Sequence, residues 1–206
     1  MATTKGSSRR GRLPDHERAD REQAILDAAM AELLENGYEK VTMLAVAKRA
    51  GASKETLYSW FGSKLGLFQA VIERNGDRSA ERVRAALHQG GSPREVLTGY
   101  CSGLLALLTG DASTALNRAA MANPDLAEVL LRAGRHRIGP LVEEYLSAIA
   151  ADGVAFASDD DPGTAFQLLY GLAVRDTQIR VLLGERPPSK AVIRRRSTDA
   201  VERFLR

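Results

Sequence analysis

Three observations on the 206-residue sequence predict an all-α fold. Apolar residues recur at three- and four-residue spacing along most segments, the period of a helix with one buried face. The pairs Ser92-Pro93, Asn123-Pro124 and Asp161-Pro162 each put a capping side chain before a proline at the first helical position. No Val/Ile/Thr-rich alternating segment occurs. The start and stop signals amount to about nine helices. They form a short N-terminal three-helix unit followed by a larger helical C-terminal region.

Residues 1–14 are small, polar and basic, with Lys5, Arg9, Arg10 and Arg12 and no acid before Asp15. They read as a flexible arm. From about Asp20 the residues Ile25, Ala28, Ala29, Leu33 and Leu34 share a helical face, and Asn36-Gly37 stops the helix. A second helix runs from about Met43 to Ala50, with Thr42 as N-cap and Gly51 as its end. A third runs from Lys54 to Phe61 behind the cap Ser53 and ends at Gly62. Three helices of these lengths, with Gly51-Ala52 between the last two, make a helix-turn-helix over residues 15–63.

Residues 64–206 form the larger region. A long helix starts at Lys64 behind Ser63 and runs to about His88, with Asn75-Gly76 marking a break or bend. The three proline-marked starts open helices reaching about Leu108, Ala151 and Leu183, and a last helix spans Ser189 to Arg206. The run Asp159-Asp160-Asp161 lacks EF-hand spacing and reads as helix capping.

Composition excludes several classes. Hydrophobic residues are 44% and charged residues 27%, as in an ordinary globular chain. The single cysteine, Cys101, can form no internal disulfide and no cysteine-based zinc cluster. Residues 1–12 lack the apolar stretch of a signal peptide, and no run approaches the ~18 apolar residues of a spanning helix. A cytoplasmic protein without membrane contact is expected. His16, His88 and His136 share no metal spacing, and no Gly-x-Ser-x-Gly, Gly-rich phosphate loop or His-Glu-x-x-His occurs. Neither an enzyme nor a metal or cofactor is expected, and a small helical catalyst is the weakest reading. The formal net charge is only +3, and residues 1–64 carry 11 basic against 9 acidic residues. Net charge therefore identifies no partner.

Placement of the charges says more. In the third helix Leu57 and Phe61 lie at i and i+4 and face the first two helices. That leaves Glu55, Thr56, Ser59 and Trp60 outward, flanked by Lys54 and Tyr58. A lysine can neutralise phosphate, hydroxyls can donate to phosphate oxygens or base edges, and an aromatic edge can meet a thymine methyl. Such a helix suits a DNA major groove. Each residue also has a plainer reading: Thr42 and Ser53 as caps only, Tyr58 as a core tyrosine, Lys64 as a solvated charge. Their conjunction within 23 residues favours contact with DNA.

The stretch Asn36-Gly37-Tyr38 through Ala47, Ala50-Gly51-Ala52-Ser53-Lys54, Thr56-Leu57-Tyr58, Phe61, Ser63-Lys64 and Leu67-Phe68 resembles the TetR family of transcriptional regulators. The resemblance covers residues 22–72. It implies an N-terminal DNA-binding domain that reads a double-stranded operator, and a divergent C-terminal domain that binds a small-molecule effector and dimerises. Among the matching positions, Thr42, Tyr58 and Lys64 correspond to backbone contacts. Ser53, Lys54, Thr56, Ser59 and Trp60 correspond to positions touching phosphates or bases. Three residues depart from the pattern. Ala45 stands where an acid commonly completes a capping box, Leu44 is apolar where a polar residue is usual, and Trp60 replaces a smaller side chain.

An effector cavity between C-terminal helices would be apolar with a few polar groups. Tyr100, Cys101, Met121, Tyr145, Phe166 and Tyr170 are its candidate liners, each with ordinary core as the alternative. The last two long helices are expected to form a homodimer interface. Phe166, Leu169, Tyr170, Ala173 and Val174 make one apolar stripe, and Val192, Val201, Phe204 and Leu205 another. The resulting expectation is a homodimeric repressor released from its operator by an effector. The alternative is a ligand-binding helical module without DNA binding.

Overall fold

The computed structural model describes residues 15–157 and 161–206. Within them eleven α-helices follow in order. They are α1 (Asp15–Asn36), α2 (Met43–Arg49), α3 (Lys54–Phe61), α4 (Lys64–His88), α5 (Pro93–Thr109) and α6 (Asp111–Met121), then α7 (Pro124–Ala133), α8 (Arg135–Ala151), α9 (Pro162–Val174), α10 (Thr177–Leu182) and α11 (Lys190–Phe204). The basic arm and two of the three consecutive aspartates lie outside the described residues. No described helix is long and apolar enough to cross a membrane.

The capping signals work as chemistry. Thr42, Ser53, Ser63, Asn123 and Ser189 each accept a backbone N–H from the first turn of the helix they open. Such caps contribute ~1 kcal/mol apiece. Ser92 and Glu95 form a full capping box, with Glu95 Oε2 accepting from the Ser92 N–H at 2.9 Å. Asp161 accepts from the backbone of Gly163 and Thr164 at 2.9 and 3.3 Å. The Thr164 hydroxyl, which donates to Asp161 Oδ2 at 2.8 Å, and these backbone N–H groups hold its carboxyl below the ordinary carboxylate range.

Eleven helices stand where about nine are expected: the break at Asn75-Gly76 is absent, and three other helices are gained. Helix α6 has no side-chain cap at Gly110, so nothing in the sequence marks its start. It is held by burial of Leu116, Ala119 and Ala120. The expected helix from Pro124 to Ala151 is broken at Gly134, with φ −101° and ψ −95°. The expected helix from Pro162 to Leu183 is broken at Arg175, a non-glycine residue at φ 49°. Its guanidinium is anchored to Asp199 at 2.7 Å. Tertiary anchoring of this kind leaves no mark in the local sequence.

Two hydrophobic cores organise the chain. The first gathers α1, α2, α3 and the first half of α4, through residues such as Ile25, Val46, Leu57 and Phe68. It continues into α6 and α7 through Leu116, Leu126 and Val129. The second joins the end of α4 at Leu87 to α5, α8, α9 and α11. Phe166, Leu169, Ala173, Val201 and Phe204, expected on a dimer face, belong to this second core. Helices α9 and α11 turn those stripes onto α5 and α8 of their own protomer. Behind α8, Phe156 pairs with Leu205 in an antiparallel bridge and stacks on Phe204 with ring centroids 4.9 Å apart.

Helix α4 runs unbroken through Asn75-Gly76 for 25 residues. The glycine serves packing there. A Cβ at Gly76 would lie 2.6 Å from the Ala133 carbonyl oxygen and 2.8 Å from its Cβ. Alanine favours a helix interior by ~1 kcal/mol over glycine. Gly76→Ala is nevertheless expected to destabilise the protein, by ~1–3 kcal/mol, because α4 and α7 must move apart. Denaturant unfolding checks this, and a stabilised variant would contradict the close approach.

Candidate nucleic-acid interface and cavity

Between α2 and α3 the chain reverses in a tight turn. Ala52 N–H donates to the Ala47 carbonyl at 2.9 Å and Gly51 N–H to that of Lys48 at 3.4 Å. Gly51 takes φ +62°, which a side chain would strain. The turn sets α3 across α2 with Leu57 fully buried and Phe61 half-buried. Lys54, Tyr58 and Ser59 stand exposed on the opposite side, Tyr58 at 46%. Lys54 Nζ lies 5.5 Å from the Tyr58 ring centroid, so cation and aromatic form one exposed patch.

Other predicted contact residues carry internal duties as well. Thr42 Oγ1 accepts from Ala45 N–H at 3.1 Å, so the cap forms without the missing acid. Ser53 Oγ accepts from Thr56 N–H at 3.1 Å and lies 3.0 Å from Thr56 Oγ1. Trp60 is half-buried, edge-on to Phe61, with the Arg18 guanidinium 5.4 Å from its ring centroid. Leu44 is 64% exposed. Lys64 Nζ donates to the Tyr38 carbonyl at 2.8 Å and lies 4.4 Å from the Tyr38 ring centroid. It thereby ties the 3-10 turn Tyr38–Lys40 to the start of α4. Arg49 joins α2 to α1 through Glu32 at 2.8 Å and Glu35 at 2.7 Å.

Helix α4 is bound to α1 by arginines. Arg74 Nη1 contacts Asp27 Oδ1 at 2.7 Å, and Arg78 Nη2 donates to Gln23 Oε1 at 2.9 Å. Arg78 also lines a partly open cavity of about 610 Å³, a size typical of small-molecule sites. Its apolar wall includes Ile72, Leu107, Leu116, Leu130 and Ile138, and its polar groups include Arg82, Arg135 and Tyr170.

Of the six candidate liners only Tyr170 reaches this cavity. Tyr100, Cys101 and Phe166 are buried in the second core, Tyr145 packs beside it, and Met121 is exposed. The apolar spacing that singled them out is the same for a core and for a cavity wall. Nothing in the local sequence marks Arg135 as a cavity residue, because an arginine on a helix usually faces solvent, as Arg78 and Arg82 do.

Residues 25–71 match the profile of bacterial regulatory proteins of the tetR family. Residues 95–206 match that of the AefR-like transcriptional repressor C-terminal domain. The chain belongs to the TetR family.

A TetR transcriptional regulator from Agrobacterium tumefaciens is 31% identical, with TM-score 0.70, over 90% of this chain and 94% of that one. FadR from Bacillus subtilis, solved in complex with stearoyl-CoA, shares the TetR fold at 18% identity and TM-score 0.71, over 87% and 96%. The repressor KstR of Mycolicibacterium smegmatis is 39% identical over 115 residues, 55% of this chain and 50% of KstR. The activator FasR of the same organism is 43% identical over 83 residues, 40% of this chain and 36% of FasR. The matches thus span half or less of these two relatives' own length.

Within this TetR chain Cys101 is fully buried, and burial pushes its thiol up to about 12. Only the thiolate reacts, so at pH 8 a disulfide reagent is expected to modify Cys101 no faster than the chain unfolds. Immediate stoichiometric labelling would contradict the burial. An unfolded thiol ionises near 9.0 and the folded one near 12, so stability falls as pH rises through that window.

Proposed function

We propose that the chain is a sequence-specific DNA-binding transcriptional regulator, a repressor released from its operator by a small-molecule effector. The observation that carries this reading is the exposed face of α3. Lys54, Tyr58 and Ser59 project from a two-turn helix whose other side is fixed by Leu57. Thr42, Ser53, Thr56, Trp60 and Lys64 complete the proposed contact set. Their caps and ring contacts orient the surface, and a capping hydroxyl keeps donor or acceptor capacity for a phosphate. Residues 15–63 would be the DNA-binding domain and 64–206 the effector and dimerisation domain, with the basic arm 1–14 preceding them. Acting on chromosomal DNA, the protein would work in the cytoplasm.

A two-fold dimer is part of the proposal. One short helix offers few base contacts, whereas paired helices ~34–36 Å apart read successive major grooves. The faces of α9 and α11 left outside the core would supply the interface. On α9 these include Gln167 and Gly171, and on α11 Ala191, Arg194 and Thr198.

The cavity would signal through α4. Arg74 and Arg78 hold α4 to α1 at Asp27 and Gln23, so a tilt of α4 carries the DNA-binding helices with it. Effector binding then favours a dimer geometry whose recognition helices no longer match the operator spacing. The KstR match favours repression and the FasR match favours activation. A reporter on the chain's own promoter separates them: deletion is expected to raise expression, and a fall would make the protein an activator.

Binding to the DNA upstream of the chain's own gene, measured by anisotropy at several salt concentrations, tests the main reading. Lys54→Ala is expected to weaken binding and lower the salt slope by ~1 per protomer. Tyr58→Ala is expected to weaken binding about tenfold, ~1.4 kcal/mol, with unchanged thermal stability. No specific complex, or both variants indistinguishable from wild type, would overturn the reading.

A further inference from the structure

We propose that the effector is an amphipathic anion, an apolar body carrying an oxyanion head group that Arg135 holds. This deepens the reading of the chain as an effector-responsive regulator and rests on it.

Charge complementarity is the first argument. Among the described residues the cavity is lined by three arginines, the exposed Arg78 and Arg82 and the half-buried Arg135, and by no aspartate or glutamate. Most of the remaining wall is apolar. A cationic ligand would add to an unbalanced positive field, and a neutral one would leave it unanswered. An anion with an apolar body satisfies both parts of the wall.

The state of Arg135 is the second. Its chain neighbours have carboxylates: Arg132 meets Glu73 at 3.0 Å, and Arg137 is paired with Asp77. Arg135 makes no hydrogen bond and no ion pair among the described residues, and its Nη1 is buried without a partner. Its guanidinium lies 4.3 Å from the Phe166 ring centroid and 5.3 Å from that of Tyr170. Ring faces attract a cation but satisfy none of its N–H donors. A carboxylate or phosphate accepts two of them at once, in the geometry that a guanidinium presents.

Helix α8 adds a third contribution. Arg135 is its first residue, Gly134 offers no capping side chain, and both line the cavity. The positive end of a 17-residue helix therefore opens at the same wall. Tyr100 Oη, also buried without a partner, lies within the electrostatic reach of Arg135 and Tyr170.

The test uses the full chain and matched pairs of probes differing only in charge: dodecanoate against dodecan-1-ol, and 2-naphthoate against 2-naphthol. Calorimetric titration is expected to show the anion of at least one pair binding tenfold or more tighter than its neutral partner. Arg135→Met is expected to abolish that preference while retaining the neutral probe. Arg135→Lys keeps the charge without the planar fork and should retain part of it. Should the methionine variant unfold, Arg135→Gln carries the same comparison. No anion preference in either pair, or a preference unchanged in the Arg135 variants, would overturn the proposal. Operator binding measured on the same preparations separates the two readings. A wild-type chain that binds its operator but shows no anion preference overturns the ligand class alone. One that binds no DNA overturns the regulator reading.

Discussion

Helix α4 belongs to both hydrophobic cores, and the rest of the molecule is arranged around that fact. Leu67, Phe68, Val71 and Ile72 lie in the first core, and Leu87, five turns further on, lies in the second. Between them Gly76 meets the backbone of α7 too closely for any side chain. A rigid rod shared by two cores transmits displacement, because close-packed interiors repack between discrete arrangements and do not deform smoothly. The cavity borders α4 at Ile72, Asn75, Gly76 and Arg78. Tyr38 is tied to the start of the same helix by Lys64.

The exposed helix of the N-terminal unit illustrates how little a short element can do by itself. Eight residues form barely two turns, below the length at which an isolated helix is stable. Burial of Leu57, the Ser53 cap and the turn at Gly51 supply the stability that the local sequence lacks. Once these interactions are satisfied, the outward side chains are free of structural work. Lys54, Tyr58 and Ser59 are polar or amphipathic residues on a surface that the fold does not need. Thr56, Trp60 and Lys64 are less free, since each also holds a neighbour in place.

Most arginines in this chain face solvent or a carboxylate, and at the cavity Arg78 and Arg82 are likewise exposed. Arg135 differs: it is half-buried against the Phe166 and Tyr170 rings. An unpaired guanidinium at a cavity is an energetic liability for the empty protein and an advantage for a complex with an oxyanion. Strain of this kind is characteristic of binding sites.

Legibility follows the range of the interactions. The boundaries of α2, α3, α4 and α5 were readable because caps, glycine stops and prolines act within a few residues of chain. On α3 the exposure of Lys54, Glu55, Tyr58 and Ser59 was readable for the same reason, since Leu57 and Phe61 define the buried side by spacing, whereas Thr56 and Trp60, expected outward, are half-buried. The breaks at Gly134 and Arg175, and the uncapped start of α6, depend on partners far along the chain and left no local mark. So did the fate of the apolar stripes on α9 and α11, which bury in their own protomer, and of Met121, which stays exposed. The sequence by itself determined an all-helical chain of the TetR pattern and the helix-turn-helix with its exposed third helix, because helix periodicity and capping are local physics. The tertiary structure alone decided which helices share a core and where a cavity opens. It also left Arg135 without a carboxylate among the described residues, because such pairing is set by residues brought together only when the chain folds.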